Sequence, residues 1–244
     1  MEEYKILIPS YKRQEKQTTL ELLSGAYTKE DIIISTQTTS DYEAYKKAYG
    51  DRATIIYKEG NCVGDNRNNL LEYCCENNIW RCIMLDDDIS GFLRYDNTKI
   101  TQGKFVRSLF EYFLRSAENV GAKLFGTYPV ANNFFMNDKV VRNILIGTCF
   151  GIMDTRLRFD RNFRIKEDYE LCLRVMSLGG IAIRFNSYSP IAAHKSKGGC
   201  SDDWKSNQND KYANILASAY PELCELNKKR KGEIIFKKRL WKKN

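Results

Sequence analysis

Short apolar runs alternate with helical stretches through the first half of the chain. Each run is rich in isoleucine and is bounded by polar residues, which is the pattern of buried β-strands. The predicted strands cover residues 4–10, 31–36, 53–58 and 81–87. The stretches between them, residues 16–27, 40–50 and 64–78, are predicted to form helices.

Apolar strands that alternate with helices indicate a sheet covered by helices on both faces. The predicted fold is therefore α/β, with a mixed, mainly parallel sheet. In such sheets ligands gather at the carboxyl ends of the strands. Ser10, Thr36 and the cluster Asp86–Asp88 fall at those ends, so topology alone predicts a binding site there.

The second half of the chain has a more mixed pattern. A polar loop is predicted for residues 89–103, followed by a helix over residues 104–121 whose apolar stripe is typical of core packing. Further elements are predicted as strands at 122–129, 140–147 and 148–154, a helix at 166–180, and a strand pair ending at 189–195.

The last residues of the chain carry all of its excess charge. The chain has 39 basic and 31 acidic side chains, and residues 227–244 contain nine of the basic and one of the acidic ones. The predicted organisation is one domain, residues 1–226, with a basic arm at residues 227–244. Such an arm suits a polyanion, either nucleic acid or an anionic membrane surface. A solvated tail that only raises solubility is the alternative.

Length and composition favour a soluble globular protein. The 244 residues are 43% hydrophobic and 29% charged, which are ordinary values for that class. No apolar run approaches the roughly 20 residues that span a bilayer, and the acidic start lacks the pattern of a signal peptide. The eight cysteines include no CxxC pair, so reduced thiols in a cytoplasmic protein are predicted.

Three consecutive aspartates, Asp86, Asp87 and Asp88, follow the fourth predicted strand without a break. Clustered carboxylates repel one another and are costly to bury without a positive partner. A hard divalent cation, Mg²⁺ or Mn²⁺, would supply that charge through oxygen ligands. An acidic turn in contact with solvent explains the cluster equally well.

Two further features lie in the second half of the chain. The only histidine, His194, ends a strand-like run, and neutral imidazole is a suitable ligand for Mn²⁺. A histidine that simply packs at the surface or in the core is the common alternative. Glu167 and Asp168 stand at the start of a predicted helix. They are candidates for a general base if they face a cleft, or they simply stabilise the helix dipole.

The order of these motifs resembles that of nucleotide-sugar glycosyltransferases of the GT-A fold. The similarity covers residues 4–197 and rests on IPSYKR, GDNRNN, LDDD, KEDYELCLR and the late histidine. It implies that a nucleotide sugar such as a UDP-sugar is bound, and that four residues help to hold it: Pro9, Tyr11, Arg13 and Arg67. Asp41 is a weaker candidate for the nucleobase.

The same resemblance implies roles for the clustered aspartates and the histidine. Asp86 is expected to face the ribose, whereas Asp88 and His194 are expected to bind Mn²⁺ or Mg²⁺. Three aspartates in a row allow two registers of the Asp-x-Asp motif. Asp87 is therefore a further candidate for contact with the nucleotide.

In that family the leaving group is a nucleoside diphosphate, whose departure builds negative charge on the β-phosphate. A bound cation and basic side chains such as Arg13 stabilise that charge. Glu167 and Asp168 match the Glu-Asp pair of the family. Asp168 is therefore implied to take the proton from the acceptor hydroxyl, as the base of an inverting enzyme, with Glu167 as the other candidate.

A short chain that carries IPSYKR and no predicted membrane segment is similar to the TET/JBP-associated glycosyltransferases. Those enzymes are implied to glucosylate hydroxymethylated pyrimidines in DNA, as in base J and modified phage genomes. The resemblance thus implies UDP-glucose as donor, DNA as acceptor, and the host cytoplasm as location if the protein is from a phage. The arm at residues 227–244 supports DNA independently, because Lys and Arg contacts to phosphates dominate DNA affinity.

Three competing functions follow from the same residues. A transferase acting on a surface polysaccharide or glycolipid would use the arm on an anionic membrane. A haloacid-dehalogenase-type phosphatase is disfavoured, because its Asp-x-Asp motif follows the first strand and here three predicted strands precede the aspartates. A non-enzymatic nucleic-acid-binding module would show no metal-dependent binding of a nucleotide sugar.

Overall fold

The computed structural model describes residues 3–192 and 208–237. The four strands predicted in the first half are confirmed as β1 (Lys5–Pro9), β2 (Ile32–Thr36), β3 (Thr54–Tyr57) and β4 (Cys82–Leu85). The helices predicted between them are confirmed as α1 (Thr18–Leu23), α2 (Thr39–Tyr49) and α3 (Val63–Glu76), and a short 3₁₀ helix spans Lys29–Asp31.

The second half contributes three further helices and nine further strands within the described ranges. The helices are α4 (Gly103–Asn119), α5 (Glu167–Ser177) and α6 (Gln208–Ala219). The strands are β5 (Ile89–Arg94), β6 (Lys99–Ile100), β7 (Leu124–Thr127), β8 (Val140–Arg142), β9 (Cys149–Ile152), β10 (Ala182–Phe185), β11 (Tyr188–Ala192), β12 (Cys224–Leu226) and β13 (Ile234–Phe236).

Eight strands form the main sheet, in the order β3-β2-β1-β4-β9-β7-β10-β8. Strands β1 to β4 are parallel to one another, and β10 is parallel to β7. Strand β9 runs antiparallel between β4 and β7, and β8 is antiparallel to β10 at the edge. The predicted mixed, mainly parallel sheet is confirmed.

The alternation of side chains along the strands divides the core between the two faces of the sheet. Ile6 and Ile8 of β1 pack with α1, α2 and α4 on one face. Leu7, between them, packs with α3 and α5 on the other face. All three side chains have no exposed surface, so both faces are covered, as parallel sheets require.

The polar loop predicted for residues 89–103 is wrong. These residues form β5 and β6, which join β11 in a separate three-stranded antiparallel sheet. Ile89 and Phe92 are fully buried, and the Phe92 ring packs edge-on against Phe110 of α4 at 5.6 Å between centroids. The short-range pattern hid this strand because exposed Ser90 and the turn residues around Asp96 dilute its apolar positions.

The strand predicted over residues 140–147 is only partly confirmed, because β8 ends at Arg142. Ile144 and Leu145 are buried, yet they pack into two different core clusters. Gly147, further along, gives its backbone groups to side chains rather than to a strand ladder. Because its apolar side chains pack into two different core clusters, this run does not continue as a strand.

Residues 208–237 form a C-terminal unit that the sequence pattern did not predict. Helix α6 and the antiparallel hairpin β12-β13 pack against α5 around Leu173, Leu216 and Ile234. The hairpin includes residues 227–236, which are the first part of the predicted basic arm. No helix within the described ranges is both long and apolar enough to cross a membrane.

Candidate active site

Polar side chains converge where the parallel strands β1 and β4 end. The segment after β1 supplies Ser10 and Arg13, and the segment after β4 supplies Asp86–Asp88. Strand β9 begins beside them, since the Asp86 backbone N–H donates to the carbonyl of Thr148 at 3.0 Å. Because β9 is antiparallel to β4, the residues that precede it also reach this edge of the sheet.

Arg13 supplies positive charge to two of the three aspartates. Its Nη1 donates to Asp87 Oδ1 at 2.5 Å and lies 3.1 Å from Asp88 Oδ2. Ser10 donates its hydroxyl to the other oxygen of Asp87. Asp87 is therefore nearly buried, with 7% of its side chain exposed, and both of its oxygens are satisfied as buried carboxylates require.

Residues at the start of α1 and in α2 fix these groups in place. The hydroxyl of Tyr45 lies 2.8 Å from that of Ser10 and accepts the Arg13 backbone N–H at 2.9 Å. Gln17 donates to the Ser10 hydroxyl at 2.9 Å. Thr19 donates to the carbonyl of Asp86 at 2.6 Å and accepts the N–H of Ile89. The aspartate segment is thus anchored through its backbone at both ends.

Arg67, at the head of α3, links the aspartate segment to the start of α5. Its Nη1 pairs with Glu167, and its Nη2 donates to the carbonyl of Gly147 at 3.0 Å. The same Nη2 lies 3.6 Å from Asp86 Oδ1. Only 5% of the Arg67 side chain and 6% of the Glu167 side chain are exposed, so this ion pair lies inside the protein.

Asp168 is held differently from its neighbour Glu167. Its Oδ2 accepts the N–H of Gly147 at 2.6 Å, and its Oδ1 accepts the N–H of Tyr169 at 2.9 Å. Both donors are backbone groups, and the residue is only half-buried. Asp168 therefore has a fixed orientation, and part of the residue is exposed.

Burial shifts the protonation of these acids. It raises the pKa of Asp86 to about 7, although Arg67 opposes the shift. Burial also raises the pKa of Glu167 against the same arginine, and raises the pKa of Asp168. Because a raised pKa makes a carboxylate a stronger proton acceptor, this edge of the sheet suits general base chemistry.

The candidate metal ligands are present only in part. Within residues 3–192 and 208–237, no three His, Cys, Asp or Glu side chains converge as a complete metal site. His194 lies outside the described residues. Asp86, with 39% of its side chain exposed, and Asp88, with 18%, offer carboxylate oxygens. Mg²⁺ is commonly bound by one or two carboxylates together with phosphates of a substrate, so Asp86 and Asp88 are the described acids that could contribute to such a site.

The other residues predicted to hold a nucleotide also lie near the carboxyl ends of the parallel strands. Pro9 is the last residue of β1, and half-buried Tyr11 follows it. Asp41 lies in the first turn of α2, one helical turn before Tyr45. Asp41 is buried, and its Oδ2 has no hydrogen-bond partner among the described residues. A buried acceptor of this kind is costly unless a donor reaches it.

Sequence reasoning missed the groups that connect the site. Gly147, Gln17 and Tyr45 were not singled out, although all three bond to predicted site residues. For Gly147 the signal was present, since a glycine ends an apolar run just before β9. A methyl group at this position would lie 2.5 Å from Arg67 Nη2, so only glycine admits the guanidinium without a shift.

A groove elsewhere on the protein does not coincide with this chemistry. This groove of about 530 Å³ lies at the other ends of the strands. Its lining includes Lys5, Thr54 and Trp80. Lys5 and Thr54 begin β1 and β3, so the groove lies at the amino ends of the strands. Ligands of open α/β sheets bind at the carboxyl ends, where the clustered acids and arginines are found.

Comparison with known proteins identifies related sequences and folds. The family model of the TET-Associated Glycosyltransferases matches residues 4–199. Residues 1–349 of S. aureus TarS, solved in complex with UDP, superpose with a TM-score of 0.51 at 10% identity, over 89% of this chain and 72% of that one. A putative nucleotide-diphospho-sugar transferase from Desulfovibrio desulfuricans G20 gives a TM-score of 0.47 at 10% identity, over 90% and 99% of the two chains. No curated protein matches the chain.

Proposed function

The chain belongs to the TET-associated glycosyltransferase family, and from this premise we propose a specific reaction. The protein moves glucose from UDP-glucose to the hydroxymethyl group of a modified pyrimidine base in DNA. The transfer inverts the anomeric carbon and depends on Mn²⁺ or Mg²⁺. A nucleotide-sugar donor is what the family uses, whereas the sugar, the base and the metal are the proposed part.

The observation that carries the proposal is the geometry of Asp168. Its carboxylate is oriented by two backbone N–H groups and is bridged to Asp86 through Gly147 and Arg67. A half-buried carboxylate with a raised pKa, next to a cluster of acids and arginines, has the properties of a general base beside a phosphate site.

The proposed reaction consists of one displacement. Asp168 takes the proton of the acceptor hydroxyl while the oxygen attacks the anomeric carbon from the face opposite to the diphosphate. The new bond joins that oxygen to the anomeric carbon, and the bond from this carbon to the β-phosphate oxygen breaks. UDP leaves with the bonding electron pair, and Arg13 stabilises the negative charge that develops on it.

The residues after β1 and in α2 are proposed to bind the nucleoside. Pro9, Tyr11 and Arg13 line the carboxyl end of β1, while Asp86 and Asp87 face them from β4. Asp41 supports this assignment, because its unpartnered oxygen would accept the ring N–H of uracil. It lies on the same face of α2 as Tyr45, whose hydroxyl contacts the Ser10 hydroxyl and the Arg13 backbone N–H.

A divalent cation is proposed to be held by Asp88 and Asp86, with His194 as the further ligand. When bound, it neutralises phosphate charge in the leaving group. We expect Asp88→Ala to abolish metal-dependent binding of UDP-glucose, measured by calorimetry with and without Mn²⁺. Asp96→Ala removes an exposed acid in a surface ion pair and should leave the affinity unchanged. An unchanged affinity in Asp88→Ala would show that Asp88 does not bind the metal.

DNA is proposed as the acceptor because of the charge at the C-terminus. Lys228, Lys229 and Arg230 are exposed in the turn of the β12-β13 hairpin, and Glu233 of the same hairpin contacts Lys166 just before α5. The basic turn is therefore close to the helix that carries Asp168. In duplex DNA the modified base must also leave the stack to reach a base catalyst.

The decisive experiment offers the protein its proposed substrates. It is incubated with Mn²⁺, labelled UDP-glucose and DNA that contains 5-hydroxymethylpyrimidine, with unmodified DNA as control. Label on the modified DNA alone supports the donor and the acceptor together. Slow metal-dependent hydrolysis of UDP-glucose without label on DNA retains the donor and redirects the search to glycan or glycolipid acceptors at anionic membranes. If neither occurs, the choice of UDP-glucose loses its support, and a panel of other nucleotide sugars is offered next.

A further inference from the structure

The single acidic residue of the basic segment 227–244 is turned toward the body of the protein. Glu233 Oε2 lies 3.2 Å from the Nζ of Lys166 and accepts the hydroxyl of Tyr169 at 3.4 Å. Only 1% of the Lys166 side chain is exposed. The ammonium group is therefore buried, and a buried ammonium group requires a charged partner.

Lys166 occupies a demanding backbone position. It is the residue before α5, with φ 62° and ψ 21°, in the left-handed region. A residue with a β-carbon is strained there and persists only where its surroundings hold it. Those surroundings include the Glu233 carboxylate and the ring of Tyr169, whose centroid is 4.6 Å from Nζ. The Lys166 carbonyl accepts the N–H of Glu170 at 3.0 Å, so it begins the helix.

Glu233 touches both residues that flank the acidic pair. Lys166 lies immediately before Glu167 and Asp168, and Tyr169 lies immediately after them. Tyr169 also donates its backbone N–H to Asp168 Oδ1. A displacement of either flanking residue would therefore move the Asp168 carboxylate relative to Gly147.

From these contacts we infer that Glu233 is a positioning residue for Asp168. The C-terminal hairpin holds the first turn of α5, and with it the carboxylate, through the Glu233–Lys166 ion pair. The inference rests on the proposed role of Asp168 as base. The family match ends at residue 199, so Glu233 lies outside the matched segment, whereas the residues it holds lie inside it.

The Glu233–Lys166 contact links the hairpin turn proposed to bind DNA with the helix that carries the proposed base. The hairpin turn that carries Lys228, Lys229 and Arg230 closes on Glu233, whose N–H donates to the Arg230 carbonyl at 3.2 Å and whose carbonyl accepts the N–H of Asn227 at 2.8 Å. A DNA acceptor that contacts this turn would therefore touch the same hairpin that holds the first turn of α5.

The first test measures position without measuring activity. Amide hydrogen exchange at Gly147 reports on Asp168, because the Gly147 N–H donates to its carboxylate at 2.6 Å. We expect Glu233→Gln to speed this exchange by about tenfold or more while exchange in β1 to β4 stays unchanged. Lys166→Met replaces the buried cation by an apolar side chain of similar length and should have the same effect, even if the glutamine variant folds poorly.

The second test is kinetic. Loss of positioning should lower kcat by roughly tenfold to a hundredfold and leave KM for UDP-glucose within about twofold. A double variant, Glu233→Gln with Lys166→Met, should lose less than the sum of the two single effects, because both changes break the Glu233–Lys166 ion pair. Asp210→Asn is the matched control, since it breaks the Lys231–Asp210 pair between the same hairpin and α6 and should change neither readout.

The outcomes separate this inference from the proposed reaction. Faster Gly147 exchange with a lower kcat supports both. Faster exchange in a protein that transfers no sugar supports the positioning contact and contradicts the reaction. Unchanged exchange and unchanged kcat in folded Glu233→Gln overturn the inference, whatever the reaction is.

Discussion

Arg67 distinguishes the two neighbouring acids at the start of α5. It pairs with Glu167 inside the protein, and removing one partner of such a buried pair typically costs about 3–5 kcal/mol. The Glu167 carboxylate is therefore already paired with the Arg67 guanidinium. Asp168 accepts only backbone N–H groups in the described structure, so its carboxylate is the one available to an acceptor. At the residue scale, the two halves of the Glu-Asp motif have different tasks.

This division predicts the effect of a conservative change. Asp168→Asn keeps the shape of the side chain and removes its ability to take a proton. Transfer should fall by about 10²- to 10⁴-fold, which is the usual contribution of a general base. Binding of UDP-glucose should persist, because the residues predicted to hold the nucleotide lie at the ends of β1 and β4 and in α2 and α3, outside α5. Initial rates of transfer and calorimetric titration measure the two quantities separately.

Asp138→Asn is a suitable control for this prediction. Asp138 is exposed and lies in the segment between β7 and β8. Its loss should change neither rate nor affinity. Substantial transfer by Asp168→Asn would instead assign the proton to Glu167 or to another group.

At the scale of elements, the antiparallel strand β9 brings Gly147 and Thr148, the residues just before it, to the carboxyl ends of the parallel strands. Phe125 of β7 lies directly across from Gly151 of β9. A β-carbon at Gly151 would lie 2.0 Å from the Phe125 ring. The ring therefore covers the glycine backbone, and this close approach allows β9 to sit between β4 and β7.

Gly151→Ala should destabilise the protein by about 1–3 kcal/mol, because the fully buried ring has no free space to enter. Thermal or urea unfolding measures the change. Gly64→Ala is the matched control, since the nearest atoms to its β-carbon are 3.6 Å away and the residue lies in α3. Alanine in a helix should be neutral or stabilise by up to about 1 kcal/mol. Equal stability of the two variants would contradict the proposed clash.

At the scale of the whole molecule, charge and fold are unevenly distributed along the chain. The excess positive charge lies at residues 227–244, yet part of this segment is a strand packed on the domain. Ile234 is 7% exposed and belongs to the cluster with α5 and α6. Deleting residues 227–244 would therefore remove core contacts along with charge, and substitutions in the exposed turn test the charge alone.

We expect the triple variant Lys228→Gln, Lys229→Gln and Arg230→Gln to weaken binding to DNA and to reduce its salt dependence. Loss of three phosphate contacts should flatten the slope of log affinity against log salt by about 2 to 3. Fluorescence anisotropy with labelled DNA across a salt series measures this slope.

The control removes equal charge from another surface. Lys104, Arg115 and Lys123 are exposed on or next to α4, which covers the opposite face of the sheet from α5. Their replacement by glutamine should leave the slope nearly unchanged. If both triple variants lose affinity equally, DNA is bound by net charge and the hairpin has no special part.

Three features follow from local sequence patterns: the four parallel strands of the first half, the strand ends that carry the acids, and the family. The four strands of the first half are confirmed, because alternating burial on a two-faced sheet leaves a local pattern of apolar runs. The position of Asp86–Asp88 after β4 follows from that pattern. The motif order from residue 4 to the late histidine led to the glycosyltransferase family, which the match over residues 4–199 confirms.

The pairing of the buried charges becomes visible only in the folded protein. Arg13 and Asp87 are separated by 74 positions in the chain, Arg67 and Glu167 by 100, and Lys166 and Glu233 by 67. The periodicity of apolar residues reflects neighbouring positions in the chain, so it does not reveal such pairs. For the same reason it does not reveal β5, whose partner β11 lies far along the chain. The folded sheet decides them, because it brings distant strand ends within a few ångströms and each buried charge must then find its partner there.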